Sequence, residues 1–252
     1  MAYDGTRFAG SQVQPGVRTV HGEVARALHE IDPDAPLGLR WAGRTDAGVS
    51  ARGNVVAFET THPAESLCAA LTFRMEDAWC WALAPVDAAF EPRHARLRLY
   101  RYFLRSGADA AAVEKALRPF VGTHDFTAFC RLEEGVNPTR TVREVAARRD
   151  GPFVVVDVAG ESFLWNQVRR MVEAARREAA GEIAPGRIAD ALAAGKPADL
   201  GTATPEGLLL LDVRYDGLAW TPAPAKVTAR MAAHFEPAEL AVARGRAMRE
   251  GA

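Results

Sequence analysis

An α+β fold is predicted, with helices layered on one face of mainly antiparallel sheets, and three features of the sequence predict it. Helix-like and strand-like stretches mix in both halves of the chain, with hairpins as well as crossovers. Asp150-Gly151 stands between two strand-like runs as a strong local hairpin signal. Leu208 to Tyr215 is a short, nearly continuous apolar run typical of a central strand.

The elements follow in chain order. Residues 3–18 are rich in Gly, Gln and Arg and read as turn and loop. Val20, Val24, Ala27, Leu28 and Ile31 fall at helical spacing, with Thr19 available as N-cap. Residues 39–43 and 54–60 have strand composition and flank a Gly-rich stretch, 43–53, expected to be loop without regular structure. Residues 78–86 and 96–105 are further strands, and 110–121 reads as a helix. Two strand-like runs within 143–160 form a meander. Ser162 then caps a helix with an apolar face of Phe163, Leu164, Val168, Met171, Val172 and Ala175, ended by Gly181. Another helix spans about 187–194. Beyond the apolar run, TPAPAK reads as linker and 226–252 as a polar helical tail with a thin apolar stripe. The expected division is therefore 1–97, 98–220 and a tail, 221–252.

Composition bounds the function. The 252 residues are 48% hydrophobic and 25% charged, as in an ordinary globular protein with one large core or two modest ones. No apolar run approaches the roughly 20 residues of a spanning helix, and no signal-peptide pattern opens the chain, so a cytoplasmic location without membrane is expected. Cys68, Cys80 and Cys130 are widely separated, which suits small buried side chains better than a disulfide framework or zinc site. The six histidines form no HxH or HExxH pattern, so no metal is expected. A net charge of -1 makes no whole-protein case for nucleic acid. The basic residues are nearly all arginine, with lysine only at 115, 196 and 226.

The loop AGRTDAGVSA (42–51) carries the chemistry. A Gly-flanked carboxylate between two strands is exposed yet supported, as a reactive group must be, which singles out Asp46. Arg44 is close enough in sequence to keep it ionised and oriented. Against this stands the plain reading of Asp46 as a turn residue.

GRTDAGV (43–49) followed by VVAFET (55–60) resembles the catalytic loop of the TruA-type tRNA pseudouridine synthases. Further matches come in that family's order: YDGTRFAGSQVQPGVRTV (3–20), ARLRLYRYFL (95–104), GTHDFTAF (122–129), SFLWNQVRRMV (162–172) and ATPEGLLLLDVRY (203–215). The resemblance implies two α/β domains, each on a mainly antiparallel sheet, with a basic cleft between them holding Asp46, and a homodimer. The implied substrate is uridine in the tRNA anticodon stem-loop, at tRNA positions 38 to 40, isomerised to pseudouridine with Asp46 as catalytic carboxylate and no cofactor. Tyr100 matches the family's base-stacking tyrosine, and Arg169 its arginine that reaches the active site from a helix. Tyr102 shares the strand face of Tyr100, so periodicity does not separate them. Asp4 and Asp125 are rival carboxylates, each more simply read as a turn or cap.

The chain departs from the family pattern in several places. Only Met1 and Ala2 precede the YDG motif, where relatives have a full strand, and the segment between Leu104 and Leu117 is short. Ser50 stands where His is commonest, Ala70-Leu71-Thr72 replaces an Asn-containing turn, Gln167 replaces Met, and Glu173 replaces Gly. Two rival functions follow from other classes. A non-catalytic tRNA-binding protein has no use for a carboxylate facing phosphates. A glycosidase would need a second carboxylate beside Asp46, and the motif holds none.

Overall fold

A computed structural model describes residues 1–35, 38–235, 243, 244 and 246–248. In chain order the elements are β1 (Ala2–Tyr3), α1 (Val20–Ile31), β2 (Arg40–Trp41), β3 (Ser50–Ala51), β4 (Val56–Ala57), α2 (Ala64–Thr72), β5 (Ala78–Trp79), β6 (Ala82–Leu83) and β7 (Leu97–Arg105). These are followed by α3 (Ala110–Leu117), β8 (Gly122–Asp125), β9 (Thr139–Asp150), β10 (Phe153–Gly160), α4 (Gln167–Ala179), α5 (Arg187–Ala194), β11 (Leu208–Arg214), β12 (Thr221–Pro222) and α6 (Ala225–His234). The class is α+β. Two compact units emerge, one of residues 1–96 with 209–252, the other of residues 97–208.

In the first unit, β1 lies between β5 and β3, antiparallel to both, with Tyr3 opposite Ala78 and Ala51. β11 joins β3 in parallel, Leu209 beside Ser50 and Leu210 beside Ala51. A parallel pair needs a long connection between its strands, and here residues 52–207 supply it. α1 forms as its apolar spacing predicts: Val20, Val24, Ala27 and Leu28 are buried, and the Thr19 hydroxyl accepts from Gly22 N. α6 packs on β5 through buried Val227 and Met231, and Trp79 meets the rings of His234 and Phe235.

Several expectations change in this unit. The stretch 43–53 is not all loop, because Ser50 and Ala51 are buried and paired on both sides as β3. Residues 64–72, for which the sequence predicts no element, form a helix, α2, whose apolar Leu67, Cys68 and Leu71 cover the core. The expected strand 78–86 is two short ones, and Thr221–Pro222 of the expected linker pairs with the second. The segment after 209 packs with residues 1–96, so β11 leaves the second unit and the tail is part of the first. Of that tail, 236–242, 245 and 249–252 lie outside the described residues, while 243, 244 and 246–248 are helical. Cys68 and Cys80, 12 apart in sequence, stand with their sulfurs 3.0 Å apart, both buried.

The second unit is a fully antiparallel sheet in the order β7-β10-β9-β8. The hairpin signal is fulfilled: Phe153 pairs with Asp150 across Gly151-Pro152. β10 is buried nearly throughout, and its Asp157 takes both Nε and Nη2 of Arg101 on β7, at 2.7 and 2.9 Å. α3 packs on β9 and on α4. α4 begins at Gln167, later than expected, because Asn166 adopts φ 63° and Phe163 and Leu164 belong to the preceding turn. Residues 122–125 add a strand that was not foreseen.

Candidate active site

Asp46 sits in the first unit on a loop whose backbone is held from several sides. Thr45 N donates to Ser11 Oγ at 2.8 Å, and Ser11 N donates back to the Thr45 carbonyl at 3.0 Å. Asn54 Nδ2 reaches the Gly43 carbonyl at 2.9 Å and Tyr3 Oη at 3.0 Å, and the Tyr3 hydroxyl meets Thr45 Oγ1 at 2.9 Å. Burial pushes the Tyr3 hydroxyl up to about 12, against the lowering effect of Thr45 and Asn54. It therefore stays protonated at neutral pH.

The far side of the loop closes on the first turn of the chain. Val49 N donates to the Asp46 carbonyl at 3.1 Å, and Gly48 N to the Gly5 carbonyl at 3.2 Å. Gly5 packs so closely that an added Cβ would strike the Val49 carbonyl. Asp46 itself is half-buried, as a carboxylate must be to be both supported and reachable. Arg44, two residues away, is exposed and makes no ion pair or hydrogen bond among the described residues, so it lies outside the framework that supports Asp46.

The rival carboxylates are occupied. Asp4 caps the turn that follows it by accepting from Thr6 N at 3.1 Å, and it also receives His234 at 3.0 Å and Arg244 at 3.3 Å. Burial pushes its carboxyl up, but the His234 hydrogen bond, the Arg244 charge and the Thr6 hydrogen bonds outweigh that and hold it well below the usual carboxylate range. Asp125 accepts from Thr127 N at 2.8 Å in a tight turn.

The second unit holds the other two expected site residues. Tyr100, on β7 opposite Val158, is buried, with its ring edge-on to Phe163 at 5.2 Å. Phe163 fits there because residue 160 is glycine: an added Cβ would come within 2.8 Å of the Phe163 ring and of the Thr141 carbonyl. Arg169 is clamped on α4. Its Nε donates to the Ala203 carbonyl at 2.7 Å, its Nη1 to Asn166 Oδ1 at 3.1 Å, and Ala203 N returns a bond to the Arg169 carbonyl at 3.2 Å. Tyr102 is used differently from Tyr100, with its hydroxyl on the Thr204 carbonyl at 3.0 Å and its ring against Gly207. The turn before α4 also places exposed Trp165 under the Arg131 guanidinium, 4.1 Å from the ring centre.

Comparison with known proteins is decisive at this point. A family model described as tRNA pseudouridine synthase matches residues 116–216. A protein of Methanoculleus marisnigri named tRNA pseudouridine synthase A is 40% identical over 227 residues, covering 88% of this chain and 83% of that one. This chain belongs to the tRNA pseudouridine synthase family. Members with the same name from Pyrococcus furiosus and Methanocella arvoryzae are each 40% identical, over 86% and 87% of this chain and 83% and 84% of theirs. A chain of a solved Cbf5-Nop10-Gar1 complex aligns at 15% identity and a TM-score of 0.38, over 68% of this chain and 44% of that one, a likeness too slight to inform the fold. Among the described residues, no helix of this family member is long and apolar enough to cross a membrane.

Sequence reasoning missed the groups that hold the Asp46 loop. Tyr3, Ser11 and Asn54 come from three separate segments, and nothing in their local sequence marks them as partners. Arg244 and His234 were assigned to a surface tail, yet both reach Asp4.

Proposed function

We propose that this chain isomerises uridine to pseudouridine in tRNA, in the anticodon stem-loop at positions 38 to 40, with Asp46 as the catalytic carboxylate. Family membership supports the reaction class, and the observation that carries the role of Asp46 is the loop itself: a half-exposed carboxylate on a backbone fixed by Tyr3, Ser11, Asn54 and Gly5.

The chemistry suits a single carboxylate. The bond from uracil N1 to the ribose breaks, the base turns, and a bond from its C5 forms in its place. A proton leaves C5 and one arrives at N1. Atoms balance without an electron or group carrier, and an ionised carboxylate can act as nucleophile or base in this sequence. A base within a stem or loop must leave its stack first, and an aromatic face then holds it. We assign that face to Tyr100, whose ring is kept in place by Phe163, and the RNA contact to Arg169, whose guanidinium is fixed by Ala203 and Asn166. Arg44, exposed on the loop, is assigned to the phosphate backbone. The resemblance adds a cytoplasmic homodimer to this reading.

Pseudouridine formation in unmodified tRNA transcripts, mapped by position, tests it. Wild-type product at the anticodon stem-loop is expected, with the Asp46→Asn rate reduced by about 10³-fold or more, as for loss of a nucleophile or general base. Tight tRNA binding without product in the wild type would instead support a non-catalytic binding protein.

A further inference from the structure

The C-terminal segment reaches the floor of the Asp46 loop. Arg244 is 6% exposed, and its Nη1 donates to Ser50 Oγ at 3.0 Å and to Asp4 Oδ1 at 3.3 Å. Both acceptors are buried, and both lead to the loop. Ser50 Oγ also accepts Gly5 N at 3.1 Å, and the Gly5 carbonyl accepts Gly48 N, two residues past Asp46. Asp4 precedes Gly5 directly and takes His234 on its other oxygen. Nearby, Arg52 Nε holds the Met248 carbonyl at 2.9 Å.

Such an arrangement asks for an explanation beyond anchoring. α6 is already fastened by buried Val227, Met231 and Phe235. A buried guanidinium is expensive to desolvate and is a poor way to gain stability, whereas it is a good way to fix one geometry among several. A relay of three hydrogen bonds, Arg244 to Ser50 to Gly5 to Gly48, fixes the turn that presents the Asp46 carboxylate.

We propose that Arg244 is a positioning residue for Asp46, holding Ser50 and Asp4 from the C-terminal segment and through Gly5 the turn that carries the carboxylate. The inference rests on the assignment of Asp46 made above. Because misplacement of a reacting group by about 1 Å can slow a reaction by about 10²-fold, the expected signature is a rate defect without a binding defect.

The test compares Arg244→Met, Ser50→Ala and the double variant with wild type. It measures single-turnover pseudouridine formation at saturating enzyme, tRNA affinity by filter binding, and melting temperature. Arg244→Met should react at least about tenfold more slowly with tRNA Kd within about twofold of wild type. The double variant should be no slower than the slower single, since both break one relay. A wild-type rate in Arg244→Met, losses that multiply in the double variant, or a loss matched by weaker tRNA binding overturns the inference. If Arg244→Met does not fold, Ser50→Ala decides: a slowed reaction with unchanged Kd supports the relay, and a wild-type rate overturns it. No product from wild type overturns the Asp46 assignment and this inference together, a result distinct from any of these.

Discussion

Asp4 and Asp46 stand 42 positions apart in sequence and in different environments, Asp4 buried and Asp46 half-buried. Asp4 is buried and bound on both oxygens, by His234 on one and by Arg244 and Thr6 on the other, with Asp77 also facing His234 at 3.8 Å. Its carboxyl is held low in the folded protein, so its contribution to stability is present above the ordinary carboxylate range and is lost as pH falls through and below about 4. Melting temperature should fall on acidification, and Asp4→Asn should lower stability at neutral pH by about 1.5–3 kcal/mol while flattening that fall. An acid transition of unchanged depth in Asp4→Asn would contradict the assignment. At this scale the sequence showed Asp46 and read Asp4 and Asp125 as cap and turn residues, because short motifs carry local chemistry. It showed nothing of Arg244, whose partners lie about 190 to 240 positions away, or of the sulfur contact between Cys68 and Cys80.

Among the elements, the long and periodic ones were legible, as were β2 and β4 within the expected strands 39–43 and 54–60, while the short strands β1, β3 and β12 were not. α1 and β7 follow from apolar spacing and aromatic content, and the β9–β10 hairpin from Asp150-Gly151. β1, β3 and β12 are strands because neighbours complete their hydrogen bonds, a tertiary fact that no local pattern carries. The start of α4 was misplaced for a related reason. Ser162 looked like a cap, but Asn166 takes the left-handed conformation and the Gln167 side chain accepts from Leu164 N at 2.8 Å to close the preceding turn. That turn carries Phe163 to Tyr100, and Gly160 makes the space. Gly160→Ala should push Phe163 and the Thr141 carbonyl apart, cost about 1–3 kcal/mol of stability, and lower tRNA turnover by disturbing the Tyr100 ring. Thermal melts with single-turnover rates on the folded variant check this, and a variant as stable and active as wild type would refute it.

Across the whole molecule, a net charge of -1 says nothing of where arginine is placed. Arg131 lies over Trp165, while Arg140 and Arg170 are near enough to Cys130 to oppose the rise that burial gives its thiol. The expected boundary near residue 97 took no account of the return of residues 209–252 to the first unit. That return also orders events in time. Residues 97–208 are one uninterrupted stretch in which β8, β9 and β10 pair with their sequence neighbours, so most of their contacts are local, while β3 must wait for β11. In refolding followed by pulsed hydrogen exchange, amides of β9 and β10 should gain protection before Arg52 N, which bonds to the Leu210 carbonyl; the reverse order would exclude this sequence of events. During synthesis the same geometry means that a ribosome completes the segment bearing Tyr100 and Arg169 before it emits β11 and Arg244. On the proposed assignment of roles, a chain released early would carry its RNA-contacting residues with the Asp46 loop still unset, so chemical competence would arrive last.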